Sequence, residues 1–236
     1  MQRVRNLLVA ASLVAALMFL VSGPGTRLGL WDWQTGFGWM KWAMFLGFAV
    51  AAVSFVFLLV PYTRGPQPTI LVAALLMGVM AGAPIMSLLA QSRGLPYIHD
   101  ITTDTGDPPA FVTLLPVRKA SPNGADYGGE RIAALQAKAY PNVRPLLLPL
   151  GREQAYSRVL DAARAMVWEI AAADAAAGRI EATATTMWFG FKDDIIVRLT
   201  AQGTGTRVDV RSVSRVGESD IGANARRIQD FLSRLT

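Results

Sequence analysis

The stretch that decides the fold is IIVRLTAQGTGTRVDVRSVSRV, residues 195–216. Two runs rich in Val, Ile, Thr and Arg, residues 195–201 and 207–216, flank the turn sequence GTG at 203–205. β-branched residues are typical of strands, and a short glycine-containing turn joins antiparallel neighbours. The stretch therefore predicts two antiparallel strands joined by a tight turn.

The second of these strands is predicted to have one apolar and one charged face, because alternate side chains point to opposite sides of a strand. One face carries Val208, Val210, Ser212, Ser214 and Val216, and the other carries Arg207, Asp209, Arg211 and Arg215. The apolar face is expected to pack on helices. The charged face is either a solvated surface with cross-strand charge pairs or an anion-binding surface, since guanidinium suits carboxylate and phosphate.

The flanking sequence predicts an α+β domain. A run at 180–189, followed by the turn KDD at 192–194, supplies a further strand and completes a three-stranded antiparallel meander. Apolar positions spaced by three and four predict a helix over 152–174, ended by Gly178, and a last helix over 221–235 capped by Ser219 or Asp220. A short helix is also expected at 131–139. The resulting order is helix, three-stranded meander, helix.

Three apolar segments precede this domain, at about residues 6–22, 39–60 and 70–90. Each approaches the roughly 20 residues that cross a bilayer as a helix. The first could instead be a cleaved signal peptide, but VSGPG fits a small-x-small cleavage site poorly. The sequence thus predicts a membrane domain at 1–90 with three transmembrane helices and a compact domain at 91–236.

Small residues recur every four positions in the second and third apolar segments: Ala43, Gly47, Ala51, Ala74, Gly78 and Gly82. Such stripes let helix backbones approach closely in lipid. One interpretation is a homo-oligomer formed through Gly78 and Gly82. The other, which the matching stripe in the second segment favours, is packing among the three helices of one chain.

Basic residues near the segment ends predict the orientation. The first pair, at positions 3 and 5, favours a cytoplasmic N-terminus. With that orientation Arg64 also lies inside, and Arg27, Lys41 and Arg93 lie outside. Because each side then has three basic residues, the predicted orientation rests on the usual dominance of the first helix. Three spans then deliver residues 91–236 outside the cytoplasm.

Composition excludes several classes of function. The formal net charge is +6, and residues 1–90 supply four of these units, next to the apolar segments. Because most of the positive charge lies beside the predicted spans and not on the compact domain, the composition does not support nucleic-acid binding. The chain has no cysteine and one histidine, which excludes thiolate and His-rich metal sites. The acidic run at 100–104 lacks the glycine and glutamate of a calcium-binding EF-hand, because Thr105 and Phe111 occupy those positions. We therefore expect no metal and no cofactor.

The segment PYIHDITTDTGDPPAF, residues 96–111, holds the single histidine and is interpreted as a strap between the two domains. Ile98, Ile101 and Phe111 can anchor it in the apolar core, and Pro108 with Pro109 keeps its far end extended. Its carboxylates need cationic partners. We expect Asp100 or Asp104 to lie within salt-bridge distance of Arg198, Arg211 or Arg215.

Several blocks together resemble a known family: IHDITTD with DPPAF, then YP with PL, GRIEATATT with FGFKDDIIVR, and VDVRSVSRVGESDIGANARRIQDFL. They resemble, over residues 96–235, the bacterial domain-of-unknown-function family numbered 1499. The resemblance implies an envelope domain behind N-terminal spans, with no assigned activity and no catalytic residues to carry over. It suggests a multi-pass protein of the bacterial inner membrane with its soluble domain on the periplasmic side.

The same blocks mark the candidates for a ligand-binding site. They are His99, Asp100, Thr102, Thr103, Asp104, Asp193, Asp194, Arg198, Arg211, Ser212, Ser214, Arg215, Asp220 and Asn224. No catalytic residue is assigned.

Two functions fit these residues. The favoured one is a non-enzymatic envelope domain that binds an anionic ligand, a lipid headgroup or a partner protein; the bilayer itself, an envelope protein or an anionic lipid would be its partners. The alternative is an envelope hydrolase that uses His99 as a base oriented by Asp100 or Asp104. Binding is favoured because the sequence contains no activated nucleophile and no glycine-rich oxyanion loop.

The orientation is tested with a reporter enzyme that is active only in the cytoplasm. Fused after Thr236 the reporter should be silent, because three spans place the C-terminus outside. Fused to a chain truncated after Arg64, two spans place it inside, and it should be active. Strong activity of the fusion after Thr236 would contradict the predicted orientation.

Overall fold

The structure is a computed structural model that describes residues 1–64 and 68–236, without the side chain of Arg64. The predicted cytoplasmic placement of that charge therefore lies outside what is described. The chain divides into two compact units. The first comprises Met1–Arg93 with Met187–Gly190, and the second comprises Gly94–Thr186 with Phe191–Thr236.

The first unit consists of helices: α1 (Gln2–Arg27), α2 (Trp33–Leu59), the short α3 (Pro61–Arg64) and α4 (Pro68–Ser92). The three long helices have mean hydropathies of 2.2, 2.3 and 2.1 in their most apolar windows, and each is long enough to cross a membrane. The three predicted apolar helices are thus present. Asp32 starts α2 by accepting a hydrogen bond from the Thr35 N–H at 2.7 Å.

Glycines set the close packing of α2 on α4. A Cβ built on Gly47 would lie 2.5 Å from the carbonyl oxygen of Gly78, and one built on Gly82 would lie 2.9 Å from the ring of Phe48. The small residues therefore serve packing within the chain, as the favoured interpretation predicted. Association of two chains through Gly78 and Gly82 stays a prediction that nothing in this packing requires.

The residues Met187–Gly190 fall in the first unit rather than at the end of a strand. Trp188 stacks on Phe19 with ring centroids 5.4 Å apart, and Phe189 meets Phe37 edge-on at 4.8 Å. The strand predicted over 180–189 consequently ends earlier, at Thr185.

The second unit is an α+β domain built on one antiparallel sheet. Its elements are β1 (Asp100–Thr102), α5 (Leu115–Lys119), α6 (Gly129–Ala139), β2 (Leu146–Leu148), α7 (Arg152–Ala165), β3 (Glu169–Asp174), β4 (Arg179–Thr185), β5 (Lys192–Gln202), β6 (Gly205–Ser214) and α8 (Ala223–Ser233). The strand order is β1-β6-β5-β4-β3, and β2 also pairs with β6. The sheet has six strands.

The predicted three-stranded meander was therefore incomplete, because the helix predicted over 152–174 contains a strand. The helix α7 ends at Ala165, and Val167 adopts the left-handed region with φ 57°, which breaks the helical path. The apolar spacing continues through Trp168 and Ile170, but Trp168 directly precedes β3 and Ile170 lies within it. Gly178, predicted to stop the helix, instead supplies the positive φ of the turn between β3 and β4.

Both faces of the sheet are covered. On one face α7 and α8 pack against a core that includes Ile195, Val197, Val208 and Val210. Residues 103–127, here called the covering segment, carry α5 and lie over the other face, where Phe111 contributes to a second apolar cluster. The charged face predicted for β6 is thus largely covered: Arg211 is buried, and Arg207 and Arg215 keep 31% and 20% of their side chains exposed. The cross-strand charge pairs expected there are present, as between Arg198 and Asp209 at 3.3 Å, but the face is not the solvated surface of that interpretation.

The helix packing can be tested by comparing two glycines of α2. In Gly47→Ala the new methyl meets the backbone of α4, so we expect the free energy of unfolding to fall by about 1–3 kcal/mol. Gly38→Ala is the matched control, because a Cβ there meets nothing within 4 Å and alanine favours the helix by about 1 kcal/mol. Thermal unfolding of the detergent-solubilised protein measures both. Equal melting temperatures for the two variants would contradict close packing at Gly47.

Candidate functional site

The strap is attached to the sheet by a buried ion pair. Its residues Asp100–Thr102 form β1, which pairs with β6 so that Asp100 lies opposite Val213. Arg211 donates from Nε to Oδ1 of Asp100 at 3.0 Å and from Nη2 to Oδ2 at 2.7 Å. Only 3% of the arginine and 7% of the aspartate side chain are exposed. This two-point pairing confirms the prediction made for Asp100.

Arg211 also holds the covering segment. Its remaining donors reach the backbone carbonyls of Pro109 at 3.2 Å and Ala125 at 2.9 Å. The guanidinium carbon lies 5.5 Å from the ring centroid of Phe111 and 5.7 Å from that of Tyr127. Burial raises the pKa of the Tyr127 hydroxyl to about 12, with the nearby Asp100 charge adding to the effect. One cation thus joins β6, the strap and both ends of the covering segment.

A second carboxylate, Asp194 on β5, collects three donors. Arg215 binds it from Nη2 at 2.7 Å, Arg118 of α5 from Nη1 at 3.4 Å, and the Thr183 hydroxyl at 2.9 Å. Arg118 and Asp194 are completely buried. Burial lowers the pKa of Arg118, and the Asp194 charge opposes that change.

A third cluster lies at the edge of the same face. Asp104 accepts from Arg207 at 2.7 Å and from Arg198 at 3.3 Å, which confirms the prediction made for Asp104. Asp209 also binds Arg207 at 2.9 Å and accepts from the Thr103 hydroxyl at 3.4 Å. The hydrogen bonds that Arg207 donates to Asp209 raise the pKa of Arg207.

Glu181 on β4 holds the chain just before α5. Its carboxylate accepts from the backbone N–H groups of Val112, Thr113 and Leu114 at 3.1, 3.0 and 2.8 Å. These N–H groups precede the first turn of α5, and a carboxylate from a distant strand satisfies them. The sequence analysis did not single out Glu181.

The helix-covered face has its own polar network around Asn224 of α8. Asn224 donates from Nδ2 to the backbone carbonyl of His99 and to the hydroxyl of Ser214, both at 3.0 Å. It accepts from the Ser212 hydroxyl at 2.7 Å. Arg227, which the sequence analysis did not single out, connects the same group to Asp193 at 2.5 Å.

Asp220 precedes α8 and satisfies its first turn. One carboxylate oxygen accepts from the Gly222 N–H at 2.8 Å and the other from the Asn224 N–H at 2.7 Å. Burial raises the pKa of Asp220, while these two N–H groups oppose the change. Asp220 therefore binds an N–H group of the first turn, as a cap would, but the residue at the N-cap position is Gly222 and α8 begins at Ala223 rather than at residue 221.

Most of the predicted site residues therefore belong to internal polar clusters on the two faces of the sheet. In particular, the guanidinium groups of Arg198, Arg211 and Arg215 are each within 3.3 Å of a carboxylate of the same chain. The charged sheet face is neutralised from within, so it offers no free arginine to an external anion. Ligand binding by these residues stays a prediction.

A cleft of about 390 Å³ lies beside the strap and brings two predicted residues, His99 and Asp100, to its wall. The full lining is Tyr97, Ile98, His99, Asp100, Asp126, Gly128, Arg131, Ile132 and Glu218. His99 is half-buried, and its Nδ1 lies 3.4 Å from the backbone carbonyl of Glu218. Both carboxylate oxygens of Asp100 are already bonded to Arg211.

The cleft differs from the sheet face because three of its four charged residues are unpaired, Asp100 being the exception. Among residues 1–64 and 68–236, Arg131 has no hydrogen-bond acceptor, and the carboxylates of Asp126 and Glu218 have no donor. The sequence analysis did not identify these three residues. Single charged residues in or beside loops carry no local pattern, and only the fold brings them to one cavity.

The arrangement does not assemble the machinery of the hydrolase hypothesis. That hypothesis needs His99 oriented by Asp100 or Asp104, whereas both carboxylates bind arginines and the imidazole meets a carbonyl group. The cleft lining includes no serine, threonine or cysteine. Within the described part of the chain, no group of three or more His, Cys, Asp or Glu residues could hold a metal ion.

Comparison with known proteins agrees with the resemblance noted over residues 96–235. A family model with the description "Protein of unknown function (DUF1499)" matches residues 100–235, which is more than half of the chain. No curated protein matches the chain.

The buried pair of the strap is tested against an exposed pair. Asp100→Ala leaves the Arg211 charge buried without its partner, and we expect the free energy of unfolding to fall by about 3–5 kcal/mol. Asp161→Ala is the matched control, since Asp161 and Arg164 are 74% and 63% exposed and such pairs contribute about 0–1 kcal/mol. Chemical denaturation of the full chain in detergent measures both changes. A loss below about 1 kcal/mol for Asp100→Ala would refute the central role of the pair.

Proposed function

Because the chain belongs to the family described as protein of unknown function (DUF1499), we propose its function from its own geometry. It is a multi-pass protein of the bacterial inner membrane, and its second unit binds a small ligand on the periplasmic side. The three apolar helices support the membrane location. The basic residues before the first span, Arg3 and Arg5, support the orientation.

The ligand site is the cleft beside His99. The observation that carries this proposal is the unpaired Arg131 in the cleft wall, in a domain whose sheet arginines are bonded to carboxylates. A guanidinium in a concave site without a protein acceptor is suited to an acidic group of a ligand. The imidazole of His99 lies in the same wall and offers a second polar contact.

The remaining charges define the class of ligand. The lining carries two unpaired carboxylates, Asp126 and Glu218, beside the single guanidinium of Arg131. A simple anion would be repelled by these carboxylates, whereas a ligand with both an acidic and an ammonium group would find partners for both. The best fit is a zwitterionic group such as phosphoethanolamine, carried by a lipid or free in solution. Of the ligands that the sequence suggested, this proposal keeps the lipid headgroup and replaces the simple anion with a zwitterionic group.

Binding without chemistry is the function that this lining supports. Hydrolysis requires a nucleophile beside the base, and the hydroxyl that lines the cleft belongs to the exposed Tyr97. Asp100 is fixed on Arg211 and is not free to orient His99. The half-buried imidazole is accordingly proposed to contact the ligand.

His99 provides a direct test, because it is the single histidine of the chain. The full protein, labelled at histidine and solubilised in detergent, is titrated with glycerophosphoethanolamine while the imidazole signals are followed by NMR. We expect these signals to shift, and Arg131→Ala to weaken the binding about tenfold or more because a charge-assisted hydrogen bond is lost. Arg158→Ala, an exposed arginine on α7 outside the cleft, should leave the affinity unchanged.

The probes also separate the outcomes. Glycerophosphate, which lacks the ammonium group, should bind more weakly than glycerophosphoethanolamine; equal binding would refute the zwitterionic ligand. The absence of any shift with either probe would overturn the proposed site. Mass spectrometry of lipids that copurify with wild type but not with Arg131→Ala would identify a lipid as the natural carrier of the group.

A further inference from the structure

Arg5 in α1 is a buried cation without a partner among the residues that the structure describes. Its side chain is 6% exposed, and neither Nε nor Nη1 has a hydrogen-bond partner in the described structure. The buried arginines of the second unit are different, since Arg211 and Arg118 both contact carboxylates and carbonyls. A buried guanidinium is strongly destabilising unless an anion neutralises it.

The first unit contains no carboxylate that can reach Arg5. Among residues 1–93 and 187–190 the single acidic residue is Asp32, which lies beyond the opposite end of α1. That helix has 26 residues, which corresponds to a length of about 39 Å. The neutralising group must therefore come from outside this unit.

The position of Arg5 indicates where that group comes from. Arg5 immediately precedes the apolar segment 6–22, and helical side chains lean toward the helix N-terminus. Its guanidinium is thus expected at the level of the lipid headgroups, as for other long basic side chains near span ends. The neighbouring Val4 and Leu7 are exposed on the same helix, as expected of residues that face lipid.

We propose that Arg5 is a binding site for the phosphodiester group of a membrane phospholipid. Nε and Nη1 are enclosed by the protein, so the phosphate accepts from the N–H groups of Nη2, and phosphate is the abundant anion at this level of a bilayer. Burial of the side chain among the helices makes this a defined site rather than general attraction to a charged surface. The site lies in the first unit, and it does not depend on the cleft beside His99.

Arg3 provides a matched control, because it is exposed, lies two residues away and carries the same charge. Wild type, Arg5→Ala and Arg3→Ala are purified from membranes in mild detergent, and retained phospholipid is measured by native mass spectrometry. Wild type and Arg3→Ala should retain a bound phospholipid, and Arg5→Ala should retain about tenfold less or lower. Equal retention by the two variants would overturn the proposal.

A second measurement covers a variant that folds poorly. Arg5→Lys keeps the charge but loses the planar fork, so it should retain less phospholipid than Arg3→Ala at the same helical content. Added phosphatidylglycerol should raise the melting temperature of the delipidated wild type, and it should raise that of Arg5→Lys less. Inorganic phosphate at equal concentration should have no such effect; an equal effect would mean that the site takes a free anion, which would refute the lipid assignment.

Discussion

The fold of the second unit depends on the ion pair between Arg211 and Asp100. A guanidinium that is 3% exposed is tolerated because two carboxylate oxygens, two backbone carbonyls and two aromatic rings surround it. Those partners come from the strap and from both ends of the covering segment. The pair therefore does more than join two strands: it holds an entire layer over the sheet. Asp194 and Glu181 act in the same layer by binding Arg118 and the backbone before α5.

Because of this architecture, the arginine-rich strand is not a surface for binding an external anion. A row of arginines on one strand face suggests an anion-binding surface, and in isolation it would attract one. Here the chain supplies its own anions from the strap and from β5, so the arginines Arg198, Arg211 and Arg215 are already neutralised. The cleft differs in that its exposed charges Arg131, Asp126 and Glu218 have no partners among the described residues and lie together in one concave site. Pairing within the chain thus separates residues that build the domain from residues that are free to recognise a ligand.

Whether a buried charge has a partner within the chain also matters in the membrane unit, where the result is different. A soluble domain can neutralise buried cations with its own aspartates. The first unit has a single acidic residue, Asp32, which lies beyond the C-terminal end of α1, whereas Arg5 lies near the N-terminal end. The glycine contacts between α2 and α4 bring these two helices close together. Arg5 of α1, which has no partner among the described residues, is best explained by the lipid around the helices.

The sequence by itself determined the features that depend on short repeats: the three apolar helices, the strands β4, β5 and β6, the helix α8, and the need of Asp100 and Asp104 for arginine partners. It mistook residues 169–174 for helix, because apolar spacing runs on from α7 and a non-glycine residue, Val167, breaks the path. Only the tertiary structure decided which charges are buried, that Glu181 caps a distant segment, and that Tyr97, Asp126, Arg131 and Glu218 share a cleft. The reason is physical: periodicity is a local property, whereas burial and charge pairing depend on chain segments that lie far apart in sequence.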